Sequence, residues 1–521
     1  MSLVSERRGL GLFPMVSAAF ALALVAVLAL GATARASELV FWNNYGAVPQ
    51  TISVANSGGS GGGALNLSGV DLKNPEGMAI DTVTNRLYVV SAGGADGKGQ
   101  ILFVNLDGSG AGVFTAPGAP VDEAFGVVLD PVTRLIYWAN DGQGTGNNGS
   151  IAWAKLDGSA GGILNTSGAT VIDPYKIGLD PVNGRIYWGS YPTSDPVISY
   201  ANANNTGGGG DLSLSPAPTS AYAFAVDPAA GRLYWSEGQD DRFAYSGLLG
   251  GGVQNLDTSG ALTTSSYGFA IDPTLNKISW PNYDNDEDRV NGLGFASLSG
   301  GSGGNVTPQV APFNGPQDLV VLKSPTGTGA PTLARNPKNR AALVCSTGSW
   351  AADFAGSFVY QAPTTYAYQW LRDGKAIGGA TAATFTAKST GKYTCTVTGA
   401  NQAGSAAQTS AAVNVKAARL KLTTKKKANA DAGDLVTFKV KAVNQGDLKP
   451  KNAKVCVKLP KAAKDDLKAP RCKKASLNGR AKKTLTIKVE VKGGADEGTD
   501  KLTFQVKGAA GKAAKSTIVV G

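Results

Sequence analysis

The chain has 521 residues, with 49 Lys and Arg, 38 Asp and Glu, and no His, so its formal net charge is +11. This length exceeds what one ordinary hydrophobic core accommodates, so we expect several domains. The lack of histidine excludes Ser-His-Asp and Cys-His catalysis and any His-ligated zinc or haem, whereas carboxylate chemistry and oxygen-ligated calcium remain open.

The charge is divided unevenly along the chain. Residues 37–323 carry a net charge of −14, residues 324–416 carry +6 and residues 417–521 carry +17. The basic character of the protein therefore belongs to its C-terminal part.

Residues 1–36 have the pattern of a secretory signal peptide. Arg7 and Arg8 precede the apolar run MVSAAFALALVAVLAL, and Ala34–Ala36 forms a small-x-small cleavage site. We expect cleavage after Ala36 and export; the alternative is an uncleaved membrane anchor, since the apolar run is long. No membrane span is expected after cleavage.

A repeated sequence motif extends over residues 37–323. Its second-strand motif carries an aromatic residue in each of six copies, a Trp in five and a Tyr one position earlier in the second: Trp42, Tyr88, Trp138, Trp188, Trp235 and Trp280. With Val89 as the counterpart of Trp in the second copy, the spacings are 47, 49, 50, 47 and 45 residues. That period is typical of a four-stranded propeller blade.

The number of strands predicts a closed ring. Five copies have an apolar strand of the GxAxD type before the aromatic motif, but the first copy lacks one. A lone apolar run, DLVVL at 318–322, follows the last copy and is predicted to supply the missing inner strand. Closure by both chain ends removes exposed sheet edges.

The lines LDPxxxRLYW and the later LDG resemble the YWTD repeats of low-density-lipoprotein-receptor class B propellers. The resemblance implies a six-bladed β-propeller over 37–323. The closing Thr-Asp of the family is missing, and its Asp position is held by Asn44, Ser91, Asn140, Ser190, Glu237 and Asn282.

Two recurring features are interpreted as structural, since one site needs no repeated copies. The strand Trp residues are predicted to act as wedges between blades. An acid and a base are predicted to pair across the same turn in five blades: Asp81/Arg86, Asp130/Arg134, Asp180/Arg185, Asp227/Arg232 and Asp272/Lys277.

Loops that depart from the repeat are better candidates for function. The loop 282–289 contains Asp284, Asp286 and Asp288, which predict a calcium site, although the EF-hand spacing is absent. The alternative is a solvated acidic loop. The loop 140–149 is a polar insertion. No other cofactor is expected.

Residues 324–330 are predicted to be a linker, and residues 331–416 resemble a bacterial immunoglobulin-like domain. The resemblance rests on Cys345, Trp370 and Cys395 at equal spacings and on Tyr393 two residues before the second Cys. It implies a Cys345–Cys395 disulfide between two sheets, with the Trp packed on it.

Residues 417–521 contain strands in which Lys alternates with apolar residues, as in LVTFKVKAVN. They resemble a β-sandwich of the DUF11 or CARDB type. Cys456 and Cys472 are the remaining pair, so we expect them to form a disulfide. The excess of Lys has two interpretations of equal weight: attraction to anionic envelope polymers, or protection of wet strands from aggregation.

The sequence thus predicts an exported, all-β, modular protein of the bacterial cell surface: a six-bladed propeller followed by two β-sandwich domains, the first of them immunoglobulin-like. The favoured function is non-catalytic recognition or adhesion, with an extracellular protein or glycan as the propeller's ligand and anionic envelope polymers as partners of the basic domain. Nucleic acid is not expected as a partner. The alternative is a carboxylate- or calcium-dependent extracellular lyase or hydrolase with its site on the central face of the propeller.

Overall fold

The computed structural model describes residues 38–93, 98–142, 149–190, 196–238, 241–283, 292–308 and 312–521. Over these residues the protein is almost entirely β-structure: a propeller followed by two β-sandwiches.

The propeller strands, in chain order, are β1 (Glu38–Asn44), β2 (Thr51–Asn56), β3 (Gly63–Ala64), β4 (Pro75–Asp81), β5 (Arg86–Ser91), β6 (Gln100–Asn105), β7 (Gly112–Phe114), β8 (Ala124–Asp130), β9 (Leu135–Asn140), β10 (Ser150–Lys155), β11 (Gly161–Ile163), β12 (Pro174–Asp180), β13 (Arg185–Ser190), β14 (Ile198–Asn202), β15 (Gly209–Asp211), β16 (Leu214–Ser215), β17 (Phe224–Asp227), β18 (Arg232–Glu237), β19 (Arg242–Gly247), β20 (Gly250–Asn255), β21 (Ala270–Asp272), β22 (Lys277–Asn282), β23 (Gly292–Ser297), β24 (Gly304–Val306) and β25 (Leu319–Lys323).

These strands form six blades around a central channel. Five blades are consecutive antiparallel sheets, whose inner strands are β4, β8, β12, β17 and β21. The inner strands are buried along nearly their whole length, which explains their continuous apolar sequences. We number the blades from 1 to 6 in the order of their second strands, β1, β5, β9, β13, β18 and β22.

The ring closes where the sequence predicts. β25 pairs antiparallel with β1, with Val320 opposite Phe41 and Leu322 opposite Leu39, and so becomes the inner strand of blade 1. The two ends of the propeller segment therefore share one sheet, and neither end leaves an open inner edge.

The first sandwich domain contains β26 (Gly327–Gly329), β27 (Leu333–Arg335), β28 (Ala342–Cys345), β29 (Ser349–Trp350), a 3-10 turn (Ala355–Ser357), β30 (Val359–Tyr360), β31 (Thr365–Arg372), β32 (Lys375–Ala376), β33 (Thr384–Thr386), β34 (Gly391–Asn401), β35 (Gly404–Thr409) and β36 (Val413–Val415). A Cys345–Cys395 disulfide joins its two main sheets, β27-β28-β33 and β32-β31-β34-β35. The segment predicted as a linker, 324–330, contains β26, which pairs with β29.

The second sandwich domain contains β37 (Arg419–Thr423), β38 (Lys427–Ala430), β39 (Leu435–Asn444), β40 (Lys454–Lys458), helix α1 (Ala463–Asp466), β41 (Leu467–Lys468), β42 (Lys473–Lys474), β43 (Lys482–Val491), β44 (Gly498–Lys507), β45 (Ala510–Lys512) and β46 (Ala514–Val520). Two five-stranded sheets, β41-β43-β39-β37-β45 and β38-β46-β44-β40-β42, enclose an apolar core. A second disulfide joins Cys456 to Cys472.

One loop of the first sandwich domain enters the propeller. This loop, residues 353–361 (the plug segment), connects β29 to β31, and its strand β30 adds in parallel to β25. The Val321 amide donates to the carbonyl of Phe358 at 3.0 Å. Phe358, Val359 and Tyr360 are 6%, 1% and 0% exposed, and each buried side chain of this size contributes about 1.5–3 kcal/mol.

Polar contacts fix the plug segment to other blades. The Ser357 hydroxyl donates to the carbonyl of Val226 in blade 5, and the Thr82 hydroxyl of blade 2 donates to Asp353 at 2.5 Å. The other carboxylate oxygen of Asp353 accepts from the amides of Gln361 and Ala362 at 2.7 and 2.8 Å. The first sandwich domain thereby closes the end of the channel at which the inner strands finish.

The two sandwich domains meet at a buried carboxylate. Asp447 of the second domain is 2% exposed and lies 3.5 Å from Arg335 and 3.4 Å from Arg340 of the first. It also accepts from the Lys416 amide at 2.9 Å. A buried acid of the second domain with these partners in the first restrains the junction, because separation would leave its charge uncompensated.

The acid–base pairs predicted within single turns are wrong. Each Asp instead accepts backbone amides of its own turn, as Asp130 does from Val132 at 2.8 Å and Asp180 from Val182 at 3.0 Å. Four bases lie over aromatic rings of the third strand: Arg86 over Phe103, Arg185 over Tyr200, Arg232 over Tyr245 and Lys277 over Phe295. The remaining base, Arg134, pairs with Asp81 of the preceding blade. The Asp side chain is short enough to accept hydrogen bonds from the backbone amides of its own turn. The base of the same turn therefore takes another partner.

Gly356 offers a sharp test of the plug. A Cβ at this position would lie 1.9 Å from the carbonyl oxygen of Leu179 in blade 4, so Gly356→Ala should destabilise the protein by about 1–3 kcal/mol through overpacking. Thermal unfolding measures this loss. The matched control is Gly378→Ala in the same domain, where a Cβ meets nothing within 4 Å; equal melting temperatures for the two variants would contradict the docking of the plug.

Candidate functional site

The end of the channel opposite the plug is the candidate site. Each inner strand begins here, and the residues at one aligned position of the six blades are Glu76, Phe125, Tyr175, Tyr222, Tyr267 and Gln317. Four of these six side chains are aromatic. The repeat therefore brings aromatic residues from consecutive blades to one mouth.

The aromatic rings pack into a continuous layer. The centroid of Tyr175 lies 4.6 Å from that of Phe125 and 5.9 Å from those of Tyr222 and Tyr267. Tyr283 extends the layer at 5.9 Å from Tyr267, and Tyr45 lies 6.4 Å from Tyr283. We call these residues the mouth surface: Tyr45, Phe125, Tyr175, Tyr222, Tyr267 and Tyr283. Tyr222 is buried, and the other five are half-buried.

A charged cluster lies beneath the mouth surface. Glu76, Lys176 and Asp318 come from three blades, and each is less than 7% exposed. The Lys176 ammonium donates to Glu76 at 3.2 Å and to the Phe125 carbonyl at 3.3 Å. The two carboxyl oxygens of Asp318 accept from the amides of Met78 and Leu319, both at 2.8 Å.

Burial in this cluster disfavours the charged carboxylates. It raises the pKa of Asp318 to about 7 against the opposing effect of Lys176. It also raises the pKa of Glu76, whose partners Lys176 and Tyr175 act in the opposite direction. The cluster therefore ties three blades together at the cost of desolvating its acids.

The channel behind the mouth is almost full. Phe358 of the plug segment reaches the level of Lys176 and Asp318, and the cavity between them measures about 10 Å³. That is room for roughly one water molecule. The channel behind the mouth therefore has no room for a ligand larger than water.

The loops that depart from the repeat begin at the same rim. Asn140 and Asn282 end the second strands of blades 3 and 6, and those strands run toward the mouth. The predicted calcium ligands Asp284, Asp286 and Asp288 lie outside the described residues, and calcium binding stays a prediction. Among the residues that are described, no group of three or more Asp, Glu, Cys or His could hold a metal ion.

A second acidic group lies on this rim. Asp141 is 7% exposed, and burial together with the nearby Asp173 and Glu123 raises its pKa to about 7. Like Asp318, it is a carboxyl whose raised pKa makes it keep its proton to higher pH than an ordinary Asp. The rim and the channel therefore respond to pH in the same direction.

The repeated aromatic residues of the second strands lie away from the mouth surface and are 0–1% exposed. The indole N–H groups of Trp138, Trp188 and Trp280 each donate to a carbonyl 18 residues upstream, at 2.7–2.8 Å. Trp42 donates to Pro312 at 2.8 Å, and Trp235 donates to Glu237 at 3.1 Å. Tyr88 packs against Phe103 and Phe114. These side chains fix each second strand and are not placed to meet a ligand.

Comparison with known proteins yields no family. No protein-family model matches the chain, and no curated protein matches it. The crystal structure of a nidogen/laminin complex superposes with a TM-score of 0.42 at 16% identity, over 55% of this chain and 98% of that chain. A protein from Lactobacillus plantarum superposes with a TM-score of 0.37 at 16% identity, over 55% of this chain and 99% of that chain. The propeller is therefore established by the chain's own strand pairing, and no function is taken from either protein.

The raised pKa values of Asp318 and Asp141 predict a pH-dependent stability. Unfolded Asp releases its proton near pH 3.9, whereas these folded groups hold it to about pH 7. Their stabilisation is complete below the unfolded pKa and is lost as pH rises through the folded pKa. The melting temperature should therefore fall between pH 5 and pH 8.

Asp141→Asn should reduce this fall in melting temperature, because the amide does not titrate. The control is Asp107→Asn, since hydrogen bonds from Ser109 lower the pKa of Asp107 and its effect lies below this window. A wild-type melting temperature that rises from pH 5 to pH 8 would contradict the assignment.

Proposed function

We propose that the propeller is a non-catalytic recognition module that binds an extracellular protein or glycan on its mouth surface. We further propose that the second sandwich domain associates with anionic polymers of the bacterial cell envelope. The observation that carries the first proposal is the convergence of six aromatic side chains, from five blades, on the one end of the channel that the plug leaves free.

The chemistry of this surface suits recognition. Tyrosine offers a large apolar ring and a polar hydroxyl, at little loss of conformational entropy on binding, and is enriched in binding interfaces. The rings are already held against one another, and Tyr175 donates to Glu76 at 3.3 Å. A ligand would therefore meet a preorganised surface, which favours affinity.

A carboxylate-dependent lyase or hydrolase is the second candidate. The observation in its favour is the pair Glu76 and Asp318, two carboxyls of raised pKa beneath the mouth, since perturbed acids are typical of catalytic sites. Against it, both are buried with hydrogen-bond donors in place, and the cavity beside Asp318 is about 10 Å³. Recognition at the mouth surface requires no opening of this cluster and is the better supported function.

The family resemblances belong to the same proposal. An immunoglobulin-like first sandwich is supported by Trp370, which is fully buried, and by the Tyr393 hydroxyl, which donates to the Ser389 carbonyl at 2.9 Å, as in a tyrosine corner. Membership of the YWTD propellers, and of the DUF11 or CARDB type for the second sandwich, rests on sequence pattern.

A location outside the cytoplasm fits the two disulfides, which persist in oxidising compartments. Among the described residues, no helix is long and apolar enough to cross a membrane. The signal peptide over 1–36 lies outside those residues and stays a prediction.

The double variant Tyr267→Ala/Tyr283→Ala tests the mouth surface in the full chain. Binding to isolated cell envelopes is measured across a salt series, because salt removes electrostatic association and leaves the contribution of the aromatic surface. The variant should lose at least about tenfold in the salt-resistant binding, as expected when anchor residues are truncated.

The matched control is Tyr366→Ala, a 42% exposed tyrosine of the first sandwich domain, which should bind as wild type. Unchanged salt-resistant binding by the double variant, at an unchanged melting temperature, would contradict recognition by the mouth surface.

A further inference from the structure

The second sandwich domain contains a groove of about 680 Å³ at one side of its two sheets, within the size range of ligand sites. One wall is the segment 458–469, which crosses from β40 to β41 and carries α1. The other wall is formed by β44 and the end of β43.

The polar lining of this groove is almost entirely cationic. Five lysines and one glutamine line it. All residues of this domain are described, and none of its acidic side chains lines the groove. The lysines are Lys458, Lys464, Lys468, Lys492 and Lys507. Val457, Leu459 and Leu467 supply an apolar floor. We call the five lysines together the lysine groove.

Two of the five lysines have contacts that fix the walls. Lys492 donates to the Lys464 carbonyl at 2.7 Å, and Lys468 pairs with Glu490 at 3.0 Å. Lys458, Lys464 and Lys507 are exposed on the groove. The uncompensated positive charge therefore faces the solvent-filled groove and not a neighbouring carboxylate.

A covalent bond holds the crossing wall in place. The Cys456–Cys472 disulfide joins the middle of β40 to the residue just before β42, which closes the loop that contains Lys458, Lys464 and Lys468. Cys456 is 4% exposed and lies opposite Gln505 of the other wall. The backbone segment that carries these three lysines is thus held by a covalent bond.

We propose that the lysine groove is a binding site for a linear polyanion with repeating phosphate groups. This deepens the proposed association of the second sandwich domain with anionic polymers, on which it rests. Lysine is a common phosphate ligand that acts as a point charge, and the groove has no arginine fork for the bidentate capture of planar carboxylates. A chain of phosphates can place successive charges at both walls.

The exposed face of the sheet β41-β43-β39-β37-β45 provides a control with equal charge. Lys421, Lys439 and Lys488 are exposed on β37, β39 and β43, and none of them lines the lysine groove. A surface that attracts polyanions only through net charge would use these lysines as well as those of the groove.

The experiment measures binding of the full chain to inorganic polyphosphate across a salt series. The groove variant is Lys458→Gln/Lys464→Gln/Lys507→Gln, and the control is Lys421→Gln/Lys439→Gln/Lys488→Gln, which changes net charge equally. The groove variant should lose at least about tenfold in affinity, and its slope of log affinity against log salt should fall by about 2, because roughly 0.7 is lost for each phosphate contact. The control should change affinity less than about threefold.

Each other outcome overturns a defined part of the account. Equal losses in the two variants would leave association through net charge intact and contradict the lysine groove. Equal binding of polyglutamate and polyphosphate by wild type would contradict the assignment to phosphate. If wild type binds neither polymer, the proposed association of this domain with anionic polymers fails as well.

Discussion

The pairing of strands on β25 is the constraint on which the rest of the structure depends. On one side β25 pairs with β1 and closes the ring of blades; on the other it accepts β30 of the plug segment. The last strand of the propeller thus closes the ring of blades, and a loop of the next domain then pairs with the same strand. Because both steps bury apolar residues and satisfy backbone groups, the propeller and the first sandwich domain are expected to unfold together.

This closure also decides where function can lie. The plug fills one end of the channel, the cluster of Glu76, Lys176 and Asp318 fills its centre, and the aromatic layer covers the other end. The propeller carries negative charge and the second sandwich carries positive charge, and the Asp447 junction restrains the two sandwiches. An aromatic surface at one place and a lysine groove at another would give the protein two ligands of different chemistry.

Sequence periodicity predicts much of this fold, because each blade repeats the same apolar pattern and turn residues. It also predicts the lone strand that closes the ring. The Cys345–Cys395 pair is expected from the resemblance to an immunoglobulin-like domain, and Cys456 and Cys472 are paired as the remaining Cys. The plug is not predictable in this way, because residues 353–361 lie outside the repeats and Ser357 bonds to Val226, 131 residues away. The mouth surface had a usable signal, since Tyr175, Tyr222 and Tyr267 stand at one aligned position near the start of the inner strands. The acid–base pairs predicted within single turns were wrong. Asp81 and Arg86 lie opposite each other on paired strands, but this does not decide which donor groups the short Asp carboxylate accepts from.

Hydrogen exchange of the full chain, followed by mass spectrometry, tests the central claim most directly. In the structure the plug segment is largely buried, and the Phe358 carbonyl accepts from the Val321 amide. The account predicts that amides of 355–361 exchange as slowly as those of the inner strands, because both open only on unfolding of the domain pair. Exchange of 355–361 as fast as that of the exposed turn 373–379 would show that the loop does not plug the propeller and would contradict the account.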